Sequence, residues 1–145
     1  MTRPVLLDLN VLIALAWPSH LHHSAAHHWF VEHQGVGWAT CPITQSGFVR
    51  LSSNPKILPE AVSPRQALQL LKQITTLPHH VFWKDSVELN NAIVFQQGNI
   101  IGYRQITDAY LLSLAIHNNG CLLSFDQGLA KLVPDAYRSS LMLLD

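Results

Sequence analysis

Two short apolar runs each end on an aspartate: Val5-Leu6-Leu7 stops at Asp8, and Cys121-Leu122-Leu123-Ser124-Phe125 stops at Asp126. Runs this short and this apolar read as strands buried on both faces, the situation of strands in a parallel sheet. In such a sheet the strand C-termini lie along one edge, and ligands bind in the crevice outside that edge. Two carboxylates far apart in sequence are therefore expected at one place. Asp108 is expected to join them. It opens the apolar stretch Thr107–Asn119 and shares a helical face with Leu111, Leu112 and Ala115, so it heads a buried stripe and not a solvated one.

The rest of the chain alternates strands with helices. Val5–Leu7 leads through Asp8-Leu9-Asn10 into a short helix, Val11–Ala16, stopped by Trp17-Pro18. A second helix opens at Ser19 or His20 and runs to about Gln34, with Gly35 beyond it. Val36–Thr40 reads as a strand, and Pro42 starts the helix carrying Ile43–Leu51. Ser63-Pro64 caps an amphipathic helix through Ala67, Leu70, Leu71 and Ile74. Val81–Trp83 is a strand, and Ser86–Gln97 is expected to be helical, with Asp85 and Glu88 near its start in a helix-dipole role. Thr107 caps the next helix. Cys121–Phe125 is a strand, Gln127–Leu132 a short helix, and Leu141–Leu144 an edge strand. The expectation is an α/β fold, one domain over 1–145, with a central, mostly parallel sheet of about four to five strands flanked by helices.

Three gathered carboxylates with no Lys or Arg beside them in the chain repel one another, and a bound cation is the usual remedy. Carboxylate oxygens favour hard ions such as Mg²⁺ or Mn²⁺, which activate water and stabilise charge on a transferring phosphoryl group. Asp8 and Asp126 also stand where helix N-caps belong, so each has a purely structural role open to it. The implied chemistry is hydrolysis of a phosphate ester or phosphodiester. An aspartyl-nucleophile phosphatase would want a second acid two residues after the first, where this chain has Asn10. A signalling receiver domain would want paired early acids and a late Lys, and neither is present.

Leu6-Leu7-Asp8-Leu9-Asn10-Val11, Ile106-Thr107-Asp108-Ala109-Tyr110-Leu111 and Leu123-Ser124-Phe125-Asp126-Gln127-Gly128, in this order and spacing, resemble the successive motifs of the PIN-domain ribonucleases. The nearest resemblance is to the VapC-like toxins of bacterial toxin–antitoxin pairs, and it spans essentially the whole chain. It implies a Mg²⁺- or Mn²⁺-dependent endoribonuclease, homodimeric and held by a cognate antitoxin. Asp8, Asp108 and Asp126 match the family's metal-binding acids. Asn10 matches the polar residue that orients the first of them, and Thr107 would hold Asp108 at the cleft. The family commonly carries a fourth acid on the helix after the second strand. Gln45 falls about where it is expected, which keeps an acceptor but loses the charge. A catalytically silent PIN-like module that only binds RNA or protein is the alternative this substitution leaves open.

The formal net charge is zero, so a bulk electrostatic grip on long nucleic acid is not indicated. Arg50, Tyr103 and Arg104 are the candidate RNA contacts, the last two in the loop that runs into the Asp108 helix. Charged residues are only 12% of the chain, so part of the surface is expected to meet a partner. Six of nine histidines fall between His20 and His33, and His23 and His27 are one turn apart, a spacing that fits a transition metal or a partner-facing surface. Cys41 and Cys121 show no metal or redox spacing, and no secretory or membrane-spanning run is present. A cytoplasmic protein with no membrane partner is the expectation.

Overall fold

The computed structural model describes residues 3–145; Met1 and Thr2 of the expected domain lie outside the described residues. Five strands form one sheet: β1 (Val5–Leu7), β2 (Trp38–Thr40), β3 (His80–Phe82), β4 (Cys121–Ser124) and β5 (Leu141–Leu143). All neighbours pair in parallel, in the order β3-β2-β1-β4-β5. The chain begins in the middle, winds outward to β3, then crosses back to β4 and β5. The winding therefore reverses between β1 and β4, and this switch point is where a crevice opens at the strand C-termini.

Among the described residues seven α-helices flank the sheet: α1 (Leu9–Ala16), α2 (His23–His33), α3 (Pro42–Ser52), α4 (Pro64–Thr75), α5 (Ile93–Gln97), α6 (Ile106–His117) and α7 (Leu129–Leu132). Strand alternation divides the core in two. Leu6, Ala39 and Leu122 point to one face and pack with Val94 of α5 and Leu111, Leu112 and Leu114 of α6. Val5, Leu7, Trp38, Cys121 and Leu123 point to the other, against Leu12 of α1, Trp29 and Phe30 of α2, Phe48 of α3 and Leu71 of α4. Double-sided burial explains why β1 and β4 read as unbroken apolar runs and not as alternating ones.

Local signals set the helix ends. Ser63 accepts from the Gln66 N–H while the Gln66 side chain accepts from the Ser63 N–H, a reciprocal capping box on α4. On α3, Pro42 takes the first position and Thr44 Oγ1 accepts from the Cys41 N–H at 3.0 Å. At the end of α6, Asn119 is left-handed (φ 56°), its N–H donates to the Ile116 carbonyl, and the Gly120 N–H donates to Ala115 at 2.8 Å. This is a complete Schellman closure, and it turns the chain directly into β4.

The expected helix over Ser86–Gln97 is not continuous. Residues 84–88 take no regular structure, the Ser86 N–H donating to the Lys84 carbonyl at 2.8 Å in a tight turn; Leu89–Asn91 is one 3-10 turn, and Ala92 is extended before α5 begins. Asn90-Asn91 favours such a break because short amide side chains stabilise turns over helix. The irregular stretch also lets Val87 pack onto the α6 side of the core. Asp85 and Glu88 therefore stand at no α-helix start, which corrects the dipole role expected of them. Likewise α2 begins at His23, not at Ser19 or His20.

Gly120 is required by close approach: a Cβ there would stand 2.5 Å from the Pro4 carbonyl oxygen and 2.8 Å from the Trp83 ring. Gly120→Ala is expected to lower stability by about 2 kcal/mol, because backbone cannot yield as a side chain can. Denaturant titration of the two proteins measures it.

Candidate active site

Asp8 follows β1 and caps α1, its Oδ1 accepting from the Leu9 N–H at 2.8 Å. Its own N–H donates to the Leu123 carbonyl at 2.9 Å, extending the β1–β4 ladder by one rung. The carboxylate is only 6% exposed. Burial raises its pKa and the Asp126 charge adds to this, against the lowering effect of the bonds from Ser124 and Leu9. Asp108 lies in the first turn of α6, half-buried; burial first, then the charges of Asp8 and Asp126, push it up to about 6 from an ordinary 3.8. Asp126 follows β4 and folds its Oδ1 back onto the Gly128 N–H at 2.9 Å. The three carboxylates expected to converge do so: all line one cavity of about 400 Å³ together with Asn10 and His20. Among the described residues none of them forms an ion pair with Lys or Arg.

A second cavity of about 500 Å³ adjoins it, sharing Asp8 and Asp108 and walled by Thr44, Ser46, Arg50 and Thr107. Ile43, Ser46 and Arg50 follow one another at i, i+3 and i+7, so they form one stripe of α3 facing the acids. Arg50 thus belongs to the site although its helical angle to Gln45 gave no reason to place it there. Gln45 does not line either cavity. Its Nε2 donates to Thr40 Oγ1 at 3.0 Å, and that hydroxyl is bonded to the His80 ring at 2.7 Å. The closure of Thr44 onto Cys41 fixes the rotation of α3 and turns Gln45 toward β2 and β3. Thr107 is also reassigned: Gln105 is the N-cap of α6 and Thr107 is an exposed residue of its first turn. Gln105 Oε1 accepts from the Ile101 and Gly102 N–H groups, which winds Tyr103–Gln105 into a 3-10 turn continuous with the helix. Tyr103 and Arg104 are exposed on that turn, the guanidinium 5.7 Å from the ring centroid. Neither lines the acidic cavities.

Sequence reasoning missed two residues. Ser124 donates to Asp8 Oδ2 at 2.6 Å, accepts from the Asp126 N–H at 3.0 Å and accepts from Asn10 Nδ2 at 3.3 Å. It is fully buried and ties three site residues together; its place in the strand made it look like core. His20 lines the acid cavity, and burial followed by the charges of His22 and His23 lowers its pKa. Nothing in the run of six histidines distinguished it. Of the other rings, His22 stacks on Phe125 at 4.6 Å and His23 Nδ1 bonds the Ala14 carbonyl, while His28 is exposed and meets Glu32 at 3.1 Å. His23 and His27 stack at 5.8 Å, but among the described residues no three His, Cys, Asp or Glu side chains are set to ligate one ion.

The donor set nevertheless fits a hard divalent cation. Mg²⁺ takes only one or two protein carboxylates and completes its shell with water and phosphate. Asn10 Oδ1 is buried beside the acids with no hydrogen-bond partner, an open acceptor of the kind such an ion or its water would satisfy. Ser124→Ala is expected to cost about 1–3 kcal/mol, since it strands the Asn10 and Asp126 donors and one Asp8 oxygen. Because burial raises the Asp8 pKa, the loss is expected to shrink as pH falls and the carboxylate takes up its proton; urea titrations across the acid range check this.

The pattern of the PIN domain family matches residues 5–133. Over 139 residues the chain is 43% identical to Ribonuclease VapC38 of Mycobacterium tuberculosis (strain ATCC 25618 / H37Rv), covering 96% of each chain. It is 39% identical over 140 residues to Ribonuclease VapC44 of Mycobacterium tuberculosis (strain CDC 1551 / Oshkosh), covering 96% of this chain and 98% of that one. A similar fold is found in the crystal structure of VapBC2 from Rickettsia felis bound to a DNA fragment from their promoter. That likeness has a TM-score of 0.61 and 15% identity, over 98% of this chain and 99% of that chain. With the family pattern running from the first strand to beyond α7, and with relatives this similar along nearly their whole length, the chain belongs to the PIN domain family.

Proposed function

We propose that the protein is a divalent-metal-dependent endoribonuclease and the toxin of a toxin–antitoxin pair, hydrolysing RNA phosphodiester bonds with Mg²⁺ or Mn²⁺. The observation that carries the reading is the cluster of Asp8, Asp108 and Asp126 at the switch point of a parallel sheet, unpaired with any basic side chain. The names of the relatives, ribonucleases of the VapC type, support it, and ribonucleases of this family are metal dependent. The neighbouring VapBC2 structure supports an antitoxin as partner. Exposed Leu21, Ile101 and Tyr103 supply apolar surface for antitoxin binding or for a homodimer. Among the described residues no helix is long and apolar enough to cross a membrane, in keeping with a cytoplasmic toxin.

In this reading the carboxylates of Asp8, Asp108 and Asp126 would hold the cation, directly or through its water, with Asn10 Oδ1 as a further acceptor. Such an ion would supply water activation and neutralisation of charge at the phosphoryl group. Ser124 keeps Asp8 and Asp126 in register and spends its proton on Asp8, leaving the carboxylate's other directions open. Arg50 faces the same crevice and offers a bidentate grip on a phosphate. Ser46 and Thr107 line the path with hydroxyls, and exposed Tyr103 and Arg104 would meet flanking RNA. Gln45 contributes by holding α3 to β2 and not by touching the ion. A silent binding module loses much of its support once the residue that suggested it faces away from the crevice.

Purified protein mixed with labelled total RNA, in Mn²⁺ or Mg²⁺ and beside a chelator control, tests the function. Discrete fragments that need the metal are expected, with Asp8→Asn slower by on the order of a hundredfold or more. No cleavage in folded, antitoxin-free protein under either metal would make it a binding module.

The acid cluster also predicts a stability effect. Because the folded pKa of Asp108 is raised to about 6, the folded state binds its proton more tightly than the unfolded chain. The metal-free protein is therefore favoured below about pH 4 and loses that advantage as pH rises through about 6. Asp108→Asn is expected to raise the metal-free Tm by a few degrees at pH 8, to add nothing at pH 4, and to abolish the stabilisation given by Mg²⁺. Calorimetry with and without Mg²⁺ decides. A variant that melts lower and is still stabilised by the ion would make Asp108 a structural residue only.

A further inference from the structure

Of the histidines between His20 and His33, one faces the acids. His20 lines the cavity in which Asp8, Asp108 and Asp126 meet, yet among the described residues it forms no ion pair with any of them. The loop between α1 and α2 holds it firmly. Its N–H donates to the Trp17 carbonyl and its carbonyl accepts from the His23 N–H, both at 3.0 Å. Trp17 Nε1 in turn donates to Ser52 Oγ at 3.0 Å, and the Ser19 hydroxyl donates to Glu60, so the loop is pinned to α3 and to the segment that follows it. The ring is oriented as well as placed. Its Nδ1 accepts from the His22 N–H at 3.0 Å, and the His22 ring, 5.9 Å away, is itself stacked on Phe125.

A ring nitrogen that accepts a hydrogen bond carries a lone pair, so the His22 N–H fixes the His20 tautomer with its proton on Nε2. An imidazolium would set a second N–H against that donor and lose the bond. Burial first, then the charges of His22 and His23, lower the His20 pKa in the same sense. Three uses are thereby closed to it. A nitrogen bearing a proton cannot ligate a cation or take a proton from water, and a neutral ring does not readily give its proton to a leaving group. Donation of a hydrogen bond remains. Among the described residues Nε2 has no partner, whereas the other donor nitrogen lining the cavity, Asn10 Nδ2, already serves Ser124. We propose that His20 is a substrate-contacting residue of the cleavage reaction, donating from Nε2 to a non-bridging oxygen of the scissile phosphate. The proposal rests on the RNA-cleaving reading above. Arg50 and His20 line different cavities that share Asp8 and Asp108, so a phosphate drawn to the acids and their cation meets a donor from each. A neutral donor also suits the place. A second Lys or Arg there would pair with the carboxylates and compete with the ion, while an imidazole N–H stabilises the oxyanion and leaves the acids free.

Two substitutions separate a substrate contact from a structural role. His20→Asn sets an amide oxygen where Nδ1 stands and keeps an acceptor for the His22 N–H, but removes the donor at Nε2. His20→Gln reaches the Nε2 position with an amide N–H and forgoes the His22 bond. On labelled RNA in Mn²⁺, His20→Asn is expected to lower kcat on the order of a hundredfold, the effect of losing one donor to a reacting oxyanion, with Tm unchanged. KM should stay within about threefold, as for a contact made chiefly in the transition state. His20→Gln should lie within about tenfold of wild type, because the donor is restored. The reverse order, an active Asn variant and an impaired Gln variant, makes the ring a brace of its loop and overturns the proposal. Nitrogen-15 NMR of histidine-labelled protein reads the contact without catalysis, the His20 signals being those lost in His20→Asn. The Nε2–H tautomer is expected, with an Nε2 resonance that moves when inorganic phosphate is added with Mg²⁺. A proton on Nδ1, or a resonance indifferent to phosphate, overturns the contact, and RNA cleavage by the same protein leaves the nuclease standing. A phosphate-dependent shift in protein that cuts no RNA in either metal upholds the contact and overturns the nuclease. Neither shift nor cleavage overturns both.

Discussion

The hydroxyl of Ser124 is the joint on which the site depends. It sits at the last residue of β4, and its 2.6 Å bond reaches the carboxylate that follows β1. The two strands are hydrogen-bonded neighbours that diverge in connection, one feeding α1 and the other α7. Backbone pairing therefore brings Asp8 and Asp126 to the same edge, and the serine converts that proximity into a fixed geometry. Burial alone would expel the Asp8 charge from such a place, and exposed Asp126 nearby adds repulsion. Asp8 stays because the Leu9 N–H and the Ser124 hydroxyl are turned on it, while Asp126 folds onto the Gly128 N–H.

Charge is arranged locally in a chain that has none overall. The nine acidic and nine basic residues balance, yet three acids share one cavity while Arg50 stands at the wall of the next. A polyanion approaching this surface meets no broad positive field. Any attraction is confined to the few ångströms around the crevice, where the Arg50 guanidinium stands at the wall.

Much of this was legible in the sequence because the governing signals were local. Unbroken apolar runs identified β1 and β4, the aspartates that end them followed from strand polarity, and Asn119-Gly120 marked the end of α6. What escaped depended on rotation and on tertiary contact. Gln45 and Thr44 are one residue apart, and only the closure of Thr44 onto Cys41 decides which of them faces the acids. Ser124 looked like strand interior, since its role exists only once β1 lies beside it. The break at Asn90-Asn91 was masked by the apolar spacing of Val87, Ile93 and Val94, which satisfies the core without a continuous helix. His20 could not be told from its neighbours, because composition repeats where geometry does not.

The N-terminal half of helix α6 lines two adjacent cavities: Thr107, Asp108 and Leu111 wall the acid crevice, and Ile106, Thr107 and Tyr110 wall its neighbour. One rigid rod, clamped at its far end by the Asn119-Gly120 turn, thus carries both the cutting edge and half of the adjoining pocket. The opposite half of that pocket comes from residues 85–89, an irregular stretch bearing little of the core. The two cavities thus share one wall, so a change at Thr107 touches both, while a change at Asp85, Val87 or Leu89 touches only the outer one.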